Sequence, residues 1–311
     1  MLSALLHRTA TPSCKVFRMM GFDELAAHSA QIYSAIEKSA DGVYQARLGE
    51  TVLRSAFQPI IEVTGESLRI CGYEALIRPY RNGRRLSVET FFADAVAAET
   101  RFIDRLCRAL HFRNFGAFGP KDTCLLVNVD PATYGGPDLA EMVAANSIRR
   151  LRESGLKPER VIYEIVERPS TDERAIFAVA ARLRAAGAKI AVDDFGGQAL
   201  DFSRLAMLRP DIVKMDGGVL KEARAGGTHL KHLGRLCQVA SRFGIDLLIE
   251  GIETADDLQT CLRLNPRYLQ GYNFGRPVKR PLATEHYAHR LARAEMLLAD
   301  GLDEKSSIAI V

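Results

Sequence analysis

The chain has 311 residues, 47% of them hydrophobic, enough to bury one large core in a single domain. Its 42 basic residues against 38 acidic ones leave a formal charge of +4, too even a balance for a nucleic-acid polymer held on a basic surface. The six cysteines form no Cys-x-x-Cys pair, which excludes a zinc ribbon or a disulfide framework and fits a reducing cytoplasm. No apolar run approaches the ~20 residues needed to cross a bilayer, so membrane insertion is not expected.

Residues 1–20 carry Arg8, Lys15 and Arg18 with no acid and weakly imitate a targeting peptide, although a disordered leader, or a start placed too early before Met19 and Met20, accounts for the same residues. Over residues 21–50, Phe22, Leu25, Ile32 and Ile36 recur at helical spacing, which predicts a helical segment packed on the following domain or on a second subunit. Residues 51–290 form that domain. Short apolar segments at 57–61, 68–74, 125–128, 161–164, 189–193, 212–214, 246–250 and 268–270 alternate with helical periodicity at 91–115, 172–186, 218–243 and 255–264. Eight strands with intervening helices predict an α/β fold, a TIM-like (β/α)8 barrel. Only residues 62–67, containing Gly65, separate the first two strands, which is a hairpin and too short for a parallel crossover, so one strand should be antiparallel. Residues 291–311 read as a helix end and a solvated tail.

Nearly every predicted strand ends in a polar residue: Glu74, Asn128, Glu164, Asp193, Lys214, Glu250 and Gln270. One such residue is ordinarily a helix cap or turn former, but seven at corresponding places converge on the barrel mouth where such folds keep their active sites. Side chains alternate along a strand, so Leu126 and Asn128 share a face, as do Ile162 and Glu164, Ala191 and Asp193, and Leu248 and Glu250. If the apolar member points into the barrel, the polar one does too. Carboxylates crowded there repel one another unless cations neutralise them, and hard oxygen ligands without His or Cys favour magnesium or manganese. Asp194 follows Asp193 and either joins a metal pair or caps the next turn. Lys214 either orients or deprotonates an attacking water, or forms a structural ion pair with Asp193 or Glu250. His229 and His232 are spaced i, i+3 without a third ligand and read as a solvated helix face.

The segment Tyr73-Glu-Ala-Leu-Ile-Arg78 resembles the signature of the EAL-domain cyclic-di-GMP phosphodiesterases. The series continues in order with Asn128-Val-Asp-Pro131, Tyr163-Glu-Ile-Val-Glu167, Asp193-Asp-Phe-Gly196, Val213-Lys-Met-Asp216, Glu250-Gly-Ile-Glu253 and Gln270-Gly-Tyr272, covering roughly residues 50–290. The resemblance implies hydrolysis of cyclic di-GMP to linear pGpG by a cytoplasmic bacterial homodimer using two Mg2+ or Mn2+ ions. It places Glu74, Asn128, Glu164 and Asp193 around one ion, and Asp193, Asp194 and Glu250 around the other. Lys214, Glu250 and Glu74 would serve catalysis, Lys214 by activating the water. Arg78 would hold a phosphate, with Gln58 and Gln270 also at the substrate, while Glu167 and Glu253 would brace the surroundings. The sequence departs from the family at residues 197–201, where Gln198 replaces a glycine and Leu200 and Asp201 replace two serines. That departure motivates the alternative of a weak or inactive member acting as a cyclic-di-GMP receptor or protein-interaction module.

Overall fold

The computed structural model describes residues 29–95, 97–130, 137–165, 173–193, 205, 207–215, 218 and 227–303. Its strands are β1 (Ile36–Lys38), β2 (Tyr44–Leu48), β3 (Thr51–Thr64), β4 (Ser67–Arg81), β5 (Arg84–Arg85), β6 (Cys124–Val129), β7 (Val161–Ile165), β8 (Lys189–Val192), β9 (Ile212–Met215), β10 (Asp246–Ile249) and β11 (Tyr268–Gln270). The helices are α1 (Val88–Ala93), α2 (Ala97–Phe118), α3 (Pro137–Glu153), α4 (Glu173–Ala185), α5 (Gly227–Arg242), α6 (Ala255–Leu262) and α7 (Ala288–Asp303).

Strands β4 and β6 to β11 pair in parallel succession, and β3 seals the circle by pairing antiparallel with both β4 and β11. The result is a TIM-like barrel of eight strands with one antiparallel member, each strand lying on a segment expected from its apolar run. The largest core fills the layer between the strands and the surrounding helices, with Tyr73, Phe112, Phe115, Tyr163 and Phe274 among its fully buried members. At one rim Glu62 of β3 pairs with Arg69 and Arg267, and Arg267 also reaches Asp246 at 3.0 Å, tying β3, β4, β10 and the entry to β11 together.

β3 and β4 are far longer than the sequence pattern implies, 14 and 15 residues, and their paired ends leave the barrel as a ribbon. β2 extends this ribbon on the β3 side and β1 follows it, while β5 adds to β4. Here the expected helical segment of residues 21–50 differs from the structure: helix covers residues 29–35, and residues 36–48 are largely strand. The free edge of β3 takes up β2 and buries Ile36 and Ala46 in the core beneath it, and this tertiary pairing outweighs local periodicity. Residues 1–28 lie outside the described residues. The helix expected at 91–115 is divided into α1, capped by Ser87 Oγ at Thr90 N (3.0 Å), and α2. α3 lies outside the helical stretches expected from periodicity, and α7 begins ahead of the helix end expected at residues 291–311.

A second core lies under the ribbon, where Ile32, Ile36, Ala46, Leu53 and Ile77 meet Phe91, Ile103, Leu106 and Leu110. Asn114 of α2 acts as a surrogate strand partner, accepting from Tyr44 N at 2.8 Å and donating to Tyr44 O at 2.9 Å. Tyr33 bonds Glu153 of α3, and Asp41 pairs with Lys279, so residues 29–48 pack on this same barrel.

His111 of α2 is buried at this junction, with Nδ1 2.8 Å from Ser55 Oγ. Burial first, then the nearby Arg108 and Arg78, push its pKa down to about 3 from 6.5. The unfolded chain therefore binds a proton that the fold refuses, and stability falls as pH drops below the unfolded value. From pH 7 to pH 5 this one group costs about 2 kcal/mol. His111→Gln, which keeps a polar partner for Ser55 but does not titrate, should lose that share of the pH dependence. Urea-denaturation midpoints at the two pH values check this; an unchanged difference would exclude His111 as its source.

Candidate active site

The barrel interior is closed by one layer of apolar side chains, Ile60, Leu126, Ile162, Ala191, Ile212, Leu248 and Tyr268, contributed by seven of the eight strands. β4 contributes Gly72, where a Cβ would stand 2.9 Å from the Cys124 carbonyl oxygen. Strand alternation fixes the next layer two residues further toward the mouth. It comprises Glu74, Asn128, Glu164, Asp193, Lys214, Glu250 and Gln270, plus Gln58 on β3, where the antiparallel direction reverses the step. The apolar layer thus walls off one side of a polar one. Neither Asp193 nor Glu250 is yet free of the sheet: Asp193 N bonds Ile165 O and Glu250 N bonds Met215 O.

Lys214 occupies the centre of this layer and is 2% exposed. Its Nζ lies 2.5 Å from Glu250 Oε1, 2.7 Å from Glu164 Oε1, 3.6 Å from Glu74 Oε1 and 3.8 Å from Asp193 Oδ1. Gln270 Nε2 donates to Glu74 Oε2 at 2.7 Å, fixing that carboxylate from the opposite side. The Glu164 side chain is 1% exposed, whereas those of Asp193 and Glu250 are 27% and 24% exposed, so the cluster opens to solvent on the Asp193 and Glu250 side. Gly271, next to Gln270, is required by packing: a Cβ there would fall 2.0 Å from the Ile252 carbonyl oxygen.

Burial alone would discharge Lys214, but the four carboxylates outweigh it and hold its pKa well above the usual lysine value. The ammonium is therefore permanent at neutral pH. Glu164 is pushed well above the carboxylate range, by burial first, with Lys214 opposing and Glu74, Asp193 and Glu250 adding to the rise. Glu250 is raised to about 7 by burial, again opposed by Lys214. One ammonium cannot neutralise four carboxylates, so the site retains protons or attracts further cations. Glu164 Oε2 and Gln270 Oε1 are buried without a hydrogen-bond partner among the described residues. With all-oxygen donors and unfilled acceptors, the residues fit a hard divalent cation. Lys214 Nζ takes the central point, and among the described residues no three acids close around another.

Other expected site residues are distributed differently. Arg78 stands four residues beyond Glu74 on the same face of β4, half-buried, with its guanidinium donating to Ile77 O at 2.9 Å. Gln58 is buried and directs its Nε2 to Gly275 O at 3.4 Å. Glu253 is exposed, its backbone N–H bonded to Asp257 Oδ2 in the capping box of α6, and its side chain makes no described contact with the Lys214 cluster. Asp194, Glu167, Asp216, residues 197–201 and the side chains of His229 and His232 lie outside the described residues. The pattern of strand ends passed over Asp104 and Arg108 of α2, a buried pair at 2.6 Å; Arg108 also donates to the Asn128 carbonyl at 3.3 Å and so supports the end of β6. Their i, i+4 spacing was the only local signal, and a solvated helix face gives the same one.

Among protein families, the EAL domain model matches residues 43–277. The uncharacterized EAL-domain containing protein YkuI of Bacillus subtilis (strain 168) is 28% identical over 235 residues, which cover 73% of this chain and 56% of that protein. A protein named probable cyclic di-GMP phosphodiesterase PdeA, from Escherichia coli (strain K12), is 31% identical over 159 residues, 50% of this chain and 21% of that one. The chain thus spans little more than half, or less, of these curated relatives. Among solved structures, Bacillus subtilis YkuI in complex with substrate c-di-GMP and calcium has a TM-score of 0.70 at 24% identity, over 81% of this chain and 62% of that one. The Klebsiella pneumoniae BlrP1 manganese/cy-diGMP complex at pH 6 has a TM-score of 0.64 at 25% identity, over 87% and 68% of the two chains.

Lys214→Met removes the compensating charge and leaves the buried carboxylates facing one another, a loss expected to reach about 3–5 kcal/mol at pH 8. Because Glu164 and Glu250 titrate above the unfolded carboxylate value, the variant fold binds more protons than the unfolded chain, and the penalty should shrink as pH falls toward 5.5. Chemical denaturation at both pH values measures this; a pH-independent loss would contradict the electrostatic account.

Proposed function

Because the chain belongs to the EAL domain family, we propose that it hydrolyses cyclic di-GMP to linear pGpG with two divalent ions, Mg2+ or Mn2+. The observation that carries this reading is the Lys214 ammonium set among Glu74, Glu164, Asp193 and Glu250 at the strand ends. The naming of PdeA as a probable cyclic di-GMP phosphodiesterase, and the c-di-GMP complex of YkuI, point the same way. In this reading Glu74, Asn128, Glu164, Asp193, Asp194 and Glu250 hold the ions, which when bound supply Lewis-acid polarisation of the phosphate.

The chain's own side chains do the remaining work. Lys214, set among the carboxylates, serves as a hydrogen-bond donor that orients the attacking water. Glu250, on the solvent-open side of the cluster and 2.5 Å from Lys214 Nζ, is placed to take the proton that water loses as its oxygen bonds to phosphorus. The bond from phosphorus to the ribose 3′ oxygen breaks, that oxygen takes up a proton from Glu250 or from solvent, and the ring opens to pGpG. Arg78 grips a phosphate, Gln270 holds Glu74 in place, and Gln58 lines the substrate side. Glu167 and Glu253 brace the neighbouring loops. Membership of the family carries the further expectation of a homodimer in the bacterial cytoplasm, and no described helix is long and apolar enough to cross a membrane.

Purified protein incubated with cyclic di-GMP and Mg2+ or Mn2+ should release pGpG, chelation should stop it, and Glu164→Gln should lower kcat by roughly 10²–10⁴. Absence of pGpG with either ion would refute the enzyme reading. The substitutions Gln198, Leu200 and Asp201 favour one alternative, a cyclic-di-GMP receptor with little or no turnover. Calorimetry separates the two: a receptor binds the dinucleotide without consuming it and keeps that binding in Lys214→Ala.

A further inference from the structure

The ribbon beyond the mouth sorts its arginines by face. In β3 and β4, Arg54 lies directly opposite Arg78, Val52 opposite Tyr80, and in β5 Arg85 lies opposite Tyr80. Cross-strand partners and residues two apart share a face, so Glu74, Leu76, Arg78, Tyr80, Arg54 and Arg85 form one continuous surface running outward from the carboxylates. The opposite face carries Arg81 and Arg84, themselves partners, and there Arg81 meets Asp94 at 3.4 Å. No such carboxylate pairs with Arg54, Arg78 or Arg85 among the described residues. Arg54 lies over the Tyr80 ring at 5.0 Å, which leaves the N–H edge of its guanidinium available to a ligand. The β4 to β5 turn holds Arg85 in place through Asn82 and Gly83, both at positive φ (52° and 76°), the conformation of a tight hairpin turn. Burial first, then the nearby Arg85, lower the Arg78 pKa, with Glu74 opposing.

We infer that Arg54 and Arg85 hold the second phosphate of a two-phosphate ligand, the one that is not cleaved, while Arg78, nearer the carboxylates, holds the phosphate under attack. The inference rests on the cyclic di-GMP reading above and adds to it two binding residues that the strand-end pattern does not contain. By strand rise Arg78 lies ~13 Å and the Tyr80–Arg85 step ~20 Å along the ribbon from Glu74, and the long arginine side chains reach back toward the mouth. A guanidinium fork matches a phosphodiester bidentately, and the half-exposed face can be vacated by solvent.

Calorimetric titration of the full chain with cyclic di-GMP in calcium, the ion of the YkuI complex, tests it. Arg85→Ala and Arg54→Ala should each weaken binding roughly tenfold at low salt, and the loss should shrink as salt screens the site. Arg84→Ala makes the same charge change on the opposite face and should alter Kd less than twofold. Equal effects of Arg84→Ala and Arg85→Ala, or no effect of Arg85→Ala, would overturn the inference while leaving the ligand assignment intact. If the unsubstituted protein does not bind cyclic di-GMP, the ligand assignment fails and the inference falls with it.

Discussion

A buried ammonium surrounded by carboxylates from four other strands is the constraint around which the barrel mouth is organised. Lys214 can be charged in a nearly dry layer only because Glu164 and Glu250 lie within 2.7 Å and Glu74 and Asp193 just beyond. Those carboxylates can be gathered only because each strand puts an apolar residue, or the bare backbone of Gly72, one layer below. A register slip of one residue in any strand would turn its polar member outward and its neighbour inward, so the electrostatics and the strand pairing enforce each other. The surplus of negative charge over Lys214 leaves the mouth with unneutralised acceptors, a character that fits hard cations.

The ribbon formed by the long halves of β3 and β4 adds a second, oppositely charged surface. It stands on its own core, in which Leu53 and Ile77 are clamped by α1, α2 and residues 29–36. At Leu53 and Ile77 the face turned toward that core is apolar, giving way to Arg81 and Arg84 only at the tip, and alternation leaves the other face to Arg54, Arg78 and Tyr80. The N-terminal segment therefore has a structural duty: by pairing β2 with β3 and anchoring Tyr44 to Asn114, it stiffens the strand that carries Arg54. Positive and negative surfaces meet along β4 within the distance from Glu74 to Arg78. That juxtaposition sets guanidinium groups beside the carboxylate cluster on one strand face.

The sequence by itself determined the eight barrel strands, the antiparallel hairpin and the polar residue at each strand end, because both the period of two and the short connection at residues 62–67 are local properties. It also determined that Leu126, Ile162, Ala191 and Leu248 share a face with Asn128, Glu164, Asp193 and Glu250, since alternation needs no knowledge of the partner strand, whereas closure of the barrel makes that face the inner one. Tertiary structure alone decided which pairings are made. The sequence left Lys214 open to Asp193 or Glu250; the closed barrel sets it against Glu164 and Glu250 most closely, a choice governed by strand order and shear. The strand character of residues 36–48 likewise depends on the free edge of β3, and the support of Asn128 by Arg108 depends on where α2 crosses β6. The identity of the acids was written in the chain; their distances, their raised pKa values and the arginine face beside them follow from closure of the barrel, which brings residues far apart in sequence into one low-dielectric space.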